Sequence, residues 1–130
     1  LLETLAVELR AAGAPEVLVA ALDVTDSAAQ REALSDFEAK FDGITHLVLN
    51  AGISSRSRPW EDSWENVHRC LDVNLLAAVN AAEWMKPRMV ARRAGTIVGV
   101  SSIAAARGLP DSGSYSTSKA ALSTYLESLR

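Results

Sequence analysis

The chain has 130 residues, 48% of them hydrophobic, and a formal net charge of −3, enough for one modest domain or part of a larger one. Acidic and basic residues are interspersed, so no basic patch recommends nucleic acid or an anionic membrane, and the pairs Arg56/Arg58 and Arg92/Arg93 read as solvated surface. The longest apolar run is far too short to span a bilayer, and the single cysteine, Cys70, leaves no disulfide framework and no thiolate metal site, which fits a cytoplasmic protein.

Along the chain the segments alternate in type. From Leu1 to Ala12, the residues Leu2, Leu5, Ala6 and Leu9 fall on one helical face, and Gly13 and Pro15 stop the helix. Val17 to Leu22 is a continuously apolar run, as expected of a strand covered on both faces. Ser27-Ala-Ala-Gln30 reads as a capping box that opens a helix burying Ala33, Leu34, Phe37 and Phe41, closed by Asp42-Gly43. Ile44 to Asn50 predicts a second strand. Asp62-Ser-Trp-Glu65 marks the next helix start, followed by Trp64, Val67, Leu71, Leu75, Ala78, Ala82, Met85 and Met89 at intervals of three or four. Pro87 must kink or end that helix, because it removes a backbone donor. Gly95 to Ser101 predicts a third strand, and a last helix begins near Tyr115 and still runs at Arg130. Trp60 and Trp64 are expected to pack beside the helix entrance, and Cys70 to be a small buried hydrophobe.

This order of helices and strands is the signature of an α/β fold with a parallel sheet, here of three strands with flanking helices, in a single partial domain spanning 1–130. The long loops follow the second and third strands, from Gly52 to Glu61 and from Ile103 to Ser114. In open parallel sheets, ligands sit outside the carboxyl ends of the strands. The chemistry is expected on that rim.

The residues there are specific. Tyr115 and Lys119 stand one helical turn apart, which places an ammonium beside a phenol on one helix face. A free phenol is a poor base near neutrality. A positive charge about 5 Å away, at an effective dielectric near 20, favours the phenolate by roughly 3 kcal/mol. Ser102 ends the third strand thirteen residues before Tyr115, with Ser101 as a competitor for its role. Asn74 lies on the apolar stripe of its helix with Val67, Leu71 and Ala78, so its amide needs a buried partner or an ordered water. Asn50-Ala51-Gly52 ends a buried strand in residues small enough for a ligand to approach the backbone, or simply makes a strand-to-loop turn. Asp23-Val24 follows the first strand, and Asp23 belongs either to a ligand site or to the polar loop before Ser27. His46 and His68 lack carboxylate or cysteine partners at ligand spacing, so no metal site is expected.

Taken together, Asp23-Val24, Asn50-Ala-Gly52, Asn74, Val-Ser-Ser102 and Tyr115-x-x-x-Lys119 resemble the short-chain dehydrogenase/reductase family, in order and over nearly the whole chain. The resemblance implies an oxidoreductase that moves a hydride between the nicotinamide of NAD or NADP and a carbonyl or secondary alcohol. Tyr115 would be the general acid or base, with Lys119 supporting it and holding the nicotinamide ribose. Ser102 would polarise the substrate oxygen, and Asn74 would hold a water leading towards Lys119. Asp23 would accept from the adenine amino group beside Val24, with Asn50, Ala51 and Gly52 lining the cofactor. It further implies a homodimer or homotetramer built on the Asp62 and Tyr115 helices. A nucleotide-sugar epimerase or dehydratase, and a non-catalytic dinucleotide-binding scaffold, are the rival readings. The family's Thr-Gly-x-x-x-Gly-x-Gly loop does not occur in the chain, which opens on Leu rather than Met, so a fragment is expected. By the family's strand order, its first strand would be separated from its second by a slot two strands wide. Such a piece would by itself be poorly stable and bind no dinucleotide usefully.

Overall fold

A computed structural model of the chain describes residues 1–54, 58, 60 and 62–130. Arg56, and with it half of the loop expected from Gly52 to Glu61, lies outside the described residues. Helix α1 (Leu2–Ala11) ends as its glycine foretells: Gly13 has φ +104°, and the Ala14 N–H returns to the Leu9 carbonyl at 3.0 Å. Helix α2 (Ser27–Phe41) is capped one residue earlier than the sequence pattern predicts. Asp26, not Ser27, accepts from the N–H groups of Ala28 and Ala29. Gln30 is thereby released from a capping box, and its amide instead donates to the Ala77 carbonyl at 3.1 Å.

Strand β1 (His46–Leu49) pairs in parallel with β2 (Thr96–Gly99), His46 opposite Thr96 and Leu49 opposite Gly99. Between them run α3 (Trp64–Leu71), a π-helical turn (Asp72–Leu76) and α4 (Ala77–Arg92), and α5 (Gly113–Glu127) follows a short 3-10 turn (Ile103–Ala105). The sheet of the described residues therefore has two strands where three were expected. Val17–Leu22 makes no ladder. A strand exists only with a partner alongside it, at about 4.8 Å. The free edge of β1 faces a groove of about 160 Å³ with Val24 and Leu34 on its lining. The apolar run itself lines a cavity of about 480 Å³ between α1 and α2, together with Leu5, Leu9, Leu34 and Phe37. For the same reason the two helices bury less than their patterns promise. Only Ala6 of α1 is buried, Phe37 is half-buried, and Phe41 is exposed.

The core lies where the sheet meets α4: Leu47 and Leu49 pack on Ala81, Ala82, Met85 and Met89. Pro87 does not end α4, which continues to Arg92. The discontinuity comes earlier, at the π-turn, which shifts the helical phase. Cys70, Asn74, Ala77, Ala81 and Met85 form the buried stripe, while Leu71 and Leu75 are only half-buried and Trp64 is exposed. Trp60 is exposed too, so neither indole packs into the helix entrance; Trp64 lies against His68, ring centroids 4.4 Å apart. Arg92 is not merely solvated, since it bonds Glu38 and the Ile44 carbonyl and ties α4 to α2. Helix α5 begins two residues before Tyr115 and closes at Glu127, short of the expected Arg130.

One glycine in this framework is indispensable by contact. A Cβ on Gly95 would stand 2.4 Å from Met89 Cγ and 2.7 Å from its Cβ. Because Met89 belongs to the core, neither side can move freely. Gly95→Ala is expected to destabilise the protein by about 2–4 kcal/mol, as a lowered denaturation midpoint in urea will show.

Candidate active site at the carboxyl ends of the strands

Both strands run in the same direction, so the residues after Leu49 and after Gly99 emerge on one rim. The first group is Asn50, Ala51 and Gly52; the second is Val100, Ser101 and Ser102. Helix α5 packs over this rim against the π-turn and the 3-10 turn. That packing brings Gly52, Asn74, Tyr115 and Lys119 together although they are remote in sequence.

Lys119 is 4% exposed, and its Nζ donates to the Val100 carbonyl at 2.8 Å. Among the described residues no carboxylate pairs with it. An ammonium has three donors, and one carbonyl accounts for one of them. The same Nζ lies 3.4 Å from where a Cβ on Gly52 would stand, beside Asn74 Oδ1 at the same distance. A side chain at position 52 would fill that corner. The Tyr115 ring is half-buried, 5.9 Å from Lys119 Nζ to its centroid, and its hydroxyl has no partner among the described residues. A solvated surface lysine beside a merely packed tyrosine would look different.

Asn74 is fully buried, and both its amide oxygen and its amide nitrogen have protein partners. Oδ1 accepts from the Ile53 N–H at 2.7 Å, and Nδ2 donates to the Ile53 carbonyl at 2.9 Å and to Ser118 Oγ at 3.0 Å. Nδ2 also touches Cys70 Sγ at 3.4 Å. This is how the buried amide avoids its desolvation penalty. It clamps the loop after β1 onto the π-turn. Sequence reasoning foresaw a buried partner for Asn74 but not Ser118. The available signal was that Ser118 shares a helix face with Tyr115.

The two serines after β2 are distinguished by their bonds. Ser101 Oγ is tied to α5 through Ser123 Oγ at 2.7 Å. Ser102 Oγ accepts from the Ala104 N–H at 3.2 Å, capping the 3-10 turn, so its own proton is left to donate.

Asp23 and Val24 line an open pocket of about 570 Å³ with Ile53, Arg69, Asp72 and Val73. Val24 also borders Asn50 and Ala51 in the groove along β1. The backbone N–H of Thr25 and then its hydroxyl, both donating to Oδ1, hold the Asp23 carboxyl below the usual carboxylate range. Its other oxygen remains for a ligand. Val24 borders both, so the pocket at Asp23 adjoins the groove at Asn50 and Ala51. These residues fit a nicotinamide dinucleotide: an anionic acceptor at one end, small side chains in the middle, and surplus ammonium donors at the other.

Residues 1–130 match the family model described as short chain dehydrogenase. The chain belongs to that family. An uncharacterized oxidoreductase of Myxococcus xanthus (strain DK1622) is 40% identical over 129 residues, which cover 99% of this chain and 51% of that protein. An alcohol dehydrogenase from the archaeon Thermococcus sibiricus, complexed with 5-hydroxy-NADP, superposes with a TM-score of 0.90 at 27% identity, covering 98% of this chain and 54% of that one. A short chain dehydrogenase/reductase from Burkholderia phymatum in complex with NAD gives 0.92 at 29% identity, covering 98% and 46%. The short chain dehydrogenase fold is therefore present, a doubly wound α/β arrangement of which the chain spans about half the length found in these relatives. No helix among the described residues is long and apolar enough to cross a membrane.

Proposed function

We propose that the whole protein is an NAD- or NADP-dependent oxidoreductase acting on a carbonyl or secondary alcohol, and that this chain is the central part of its single nucleotide-binding domain. The observation that carries the reading is the buried ammonium of Lys119, which no carboxylate among the described residues pairs, beside the phenol of Tyr115. Such an ammonium is costly to bury, and its remaining donors suit a vicinal diol, as on a ribose.

In this reading the nicotinamide cofactor accepts or delivers the hydride. Tyr115 Oη takes the alcohol proton in oxidation and returns it in reduction. Lys119 sets its ammonium beside the phenol, with Nζ 5.9 Å from the ring centroid, and its remaining donors hold the ribose. Ser102 donates to the substrate oxygen as charge develops there. Asn74 supports the proton relay, holding the π-turn in place and a water that leads towards Lys119. Asp23, Val24, Asn50, Ala51 and Gly52 form the cofactor groove. Family membership further supports a cytoplasmic homodimer or homotetramer.

The test follows nicotinamide absorbance with the whole protein, both coenzymes and a panel of ketones, aldehydes and secondary alcohols. Coenzyme-dependent turnover of at least one substrate class is expected. Coenzyme binding without turnover across the panel would sink the assignment in favour of a scaffold.

A further inference from the structure

Ser118 is fully buried, and nothing in the hydride-transfer chemistry above uses it. Its hydroxyl accepts from Asn74 Nδ2 at 3.0 Å and donates to the Tyr115 carbonyl at 2.7 Å. A serine in a helix often bonds back to the preceding turn, and that bond alone would be local. The bond from Asn74 is not local, since 44 residues separate the two.

The donor inventory makes the arrangement directional. Asn74 has two amide protons, and the acceptors at 2.9 and 3.0 Å, the Ile53 carbonyl and Ser118 Oγ, take both. Cys70 Sγ, farther off at 3.4 Å, is the weaker alternative. Ser118 has one proton, and the Tyr115 carbonyl takes it. An unbroken series therefore runs from the Ile53 N–H through the Asn74 amide and the Ser118 hydroxyl to the main chain of Tyr115. It joins the loop after β1, the π-turn and the first turn of α5, the three segments that surround the Gly52 corner.

We propose that Ser118 is a positioning residue: it locks the backbone of Tyr115 to the Asn74 turn and so fixes the phenol relative to Lys119 and the substrate oxygen. The inference rests on the hydride-transfer reading above and goes beyond it. Alanine at this position leaves an Asn74 N–H with only the thiol to bond, in a place closed to solvent. The π-turn and α5 then lose their shared register, and Tyr115 loses its fixed distance from the ammonium.

The experiment compares wild type, Ser118→Ala and Ser118→Cys in the whole protein with saturating coenzyme. The cysteine variant keeps nearly the same volume with a poor acceptor, so it reads the lock even if the alanine variant fails to fold. Both are expected to lower kcat about five- to tenfold, the equivalent of about one net hydrogen bond. KM and coenzyme Kd should stay within about twofold, and the acid limb of the pH–rate profile for alcohol oxidation should move up by about half a unit or more. A lowered melting temperature with kcat and pH profile unchanged would overturn the proposal and leave Ser118 a packing residue. Where wild type turns over and Tyr115→Phe abolishes it, that result condemns the lock alone. If wild type shows no turnover, both readings fall.

Discussion

Tyr115→Phe in the whole protein is expected to lower kcat about a thousandfold or more, within the range that positioned acid–base groups contribute. Coenzyme affinity and melting temperature should scarcely change. The reason lies in the surroundings of the hydroxyl. It has no protein partner among the described residues, and the ring is only half-buried, so its removal breaks no bond and opens little space. The loss should fall on kcat and kcat/KM together, as for an interaction made only in the transition state. Steady-state kinetics beside a thermal melt will check this. Full turnover by the phenylalanine variant would remove Tyr115 from the chemistry.

Lys119→Met carries the second large effect, and here activity and stability should move in opposite directions. Methionine nearly matches the stem of lysine in volume but carries no charge. Turnover is expected to drop about a thousandfold, and coenzyme binding should weaken about tenfold or more, because the diol loses its donors. The coenzyme-free protein, in contrast, should melt at an unchanged or higher temperature. Burying an ammonium without a carboxylate costs several kcal/mol, and one bond to the Val100 carbonyl offsets only part of that. A site that holds such a charge is strained in the absence of its ligand. If Lys119→Met instead lowered the melting temperature sharply while coenzyme affinity held, Lys119 would be a structural brace for the strand end.

Legibility varied with the range of the forces involved. The chain-order alternation of helices and strands, and the ends of α1 and α2 at Gly13 and Asp42-Gly43, follow from local periodicity and backbone freedom. The same holds for the pairing of Tyr115 with Lys119, since one helical turn sets their separation whatever packs around them. Asn74 drew notice as a polar residue on an apolar stripe, and its complete burial bears out the physical reason for that notice. Less local features escaped. Asp26 displaces Ser27 as the cap of α2, and the Gln30 amide donates instead to the Ala77 carbonyl at the start of α4, a contact that no pattern within the helix announces. The π-turn at Asp72–Leu76 shifts the buried face of a long helix, so a regular period projected through it misplaces Leu71, Leu75 and Trp64.

Spacing and side-chain chemistry were enough to establish the α/β order, the rim that carries the polar loops, and the Tyr115-Lys119 couple, because each arises within a few residues of chain. Only packing decided that Val17–Leu22 makes no ladder, that Ser101 is tied to α5 while Ser102 keeps a proton to donate, and that Asn74 and Ser118 share a bond across 44 residues. Ladders, buried ammonium groups and amide clamps are satisfied by whatever comes alongside them in space. Their partners stand far off along the chain, and no local pattern names them.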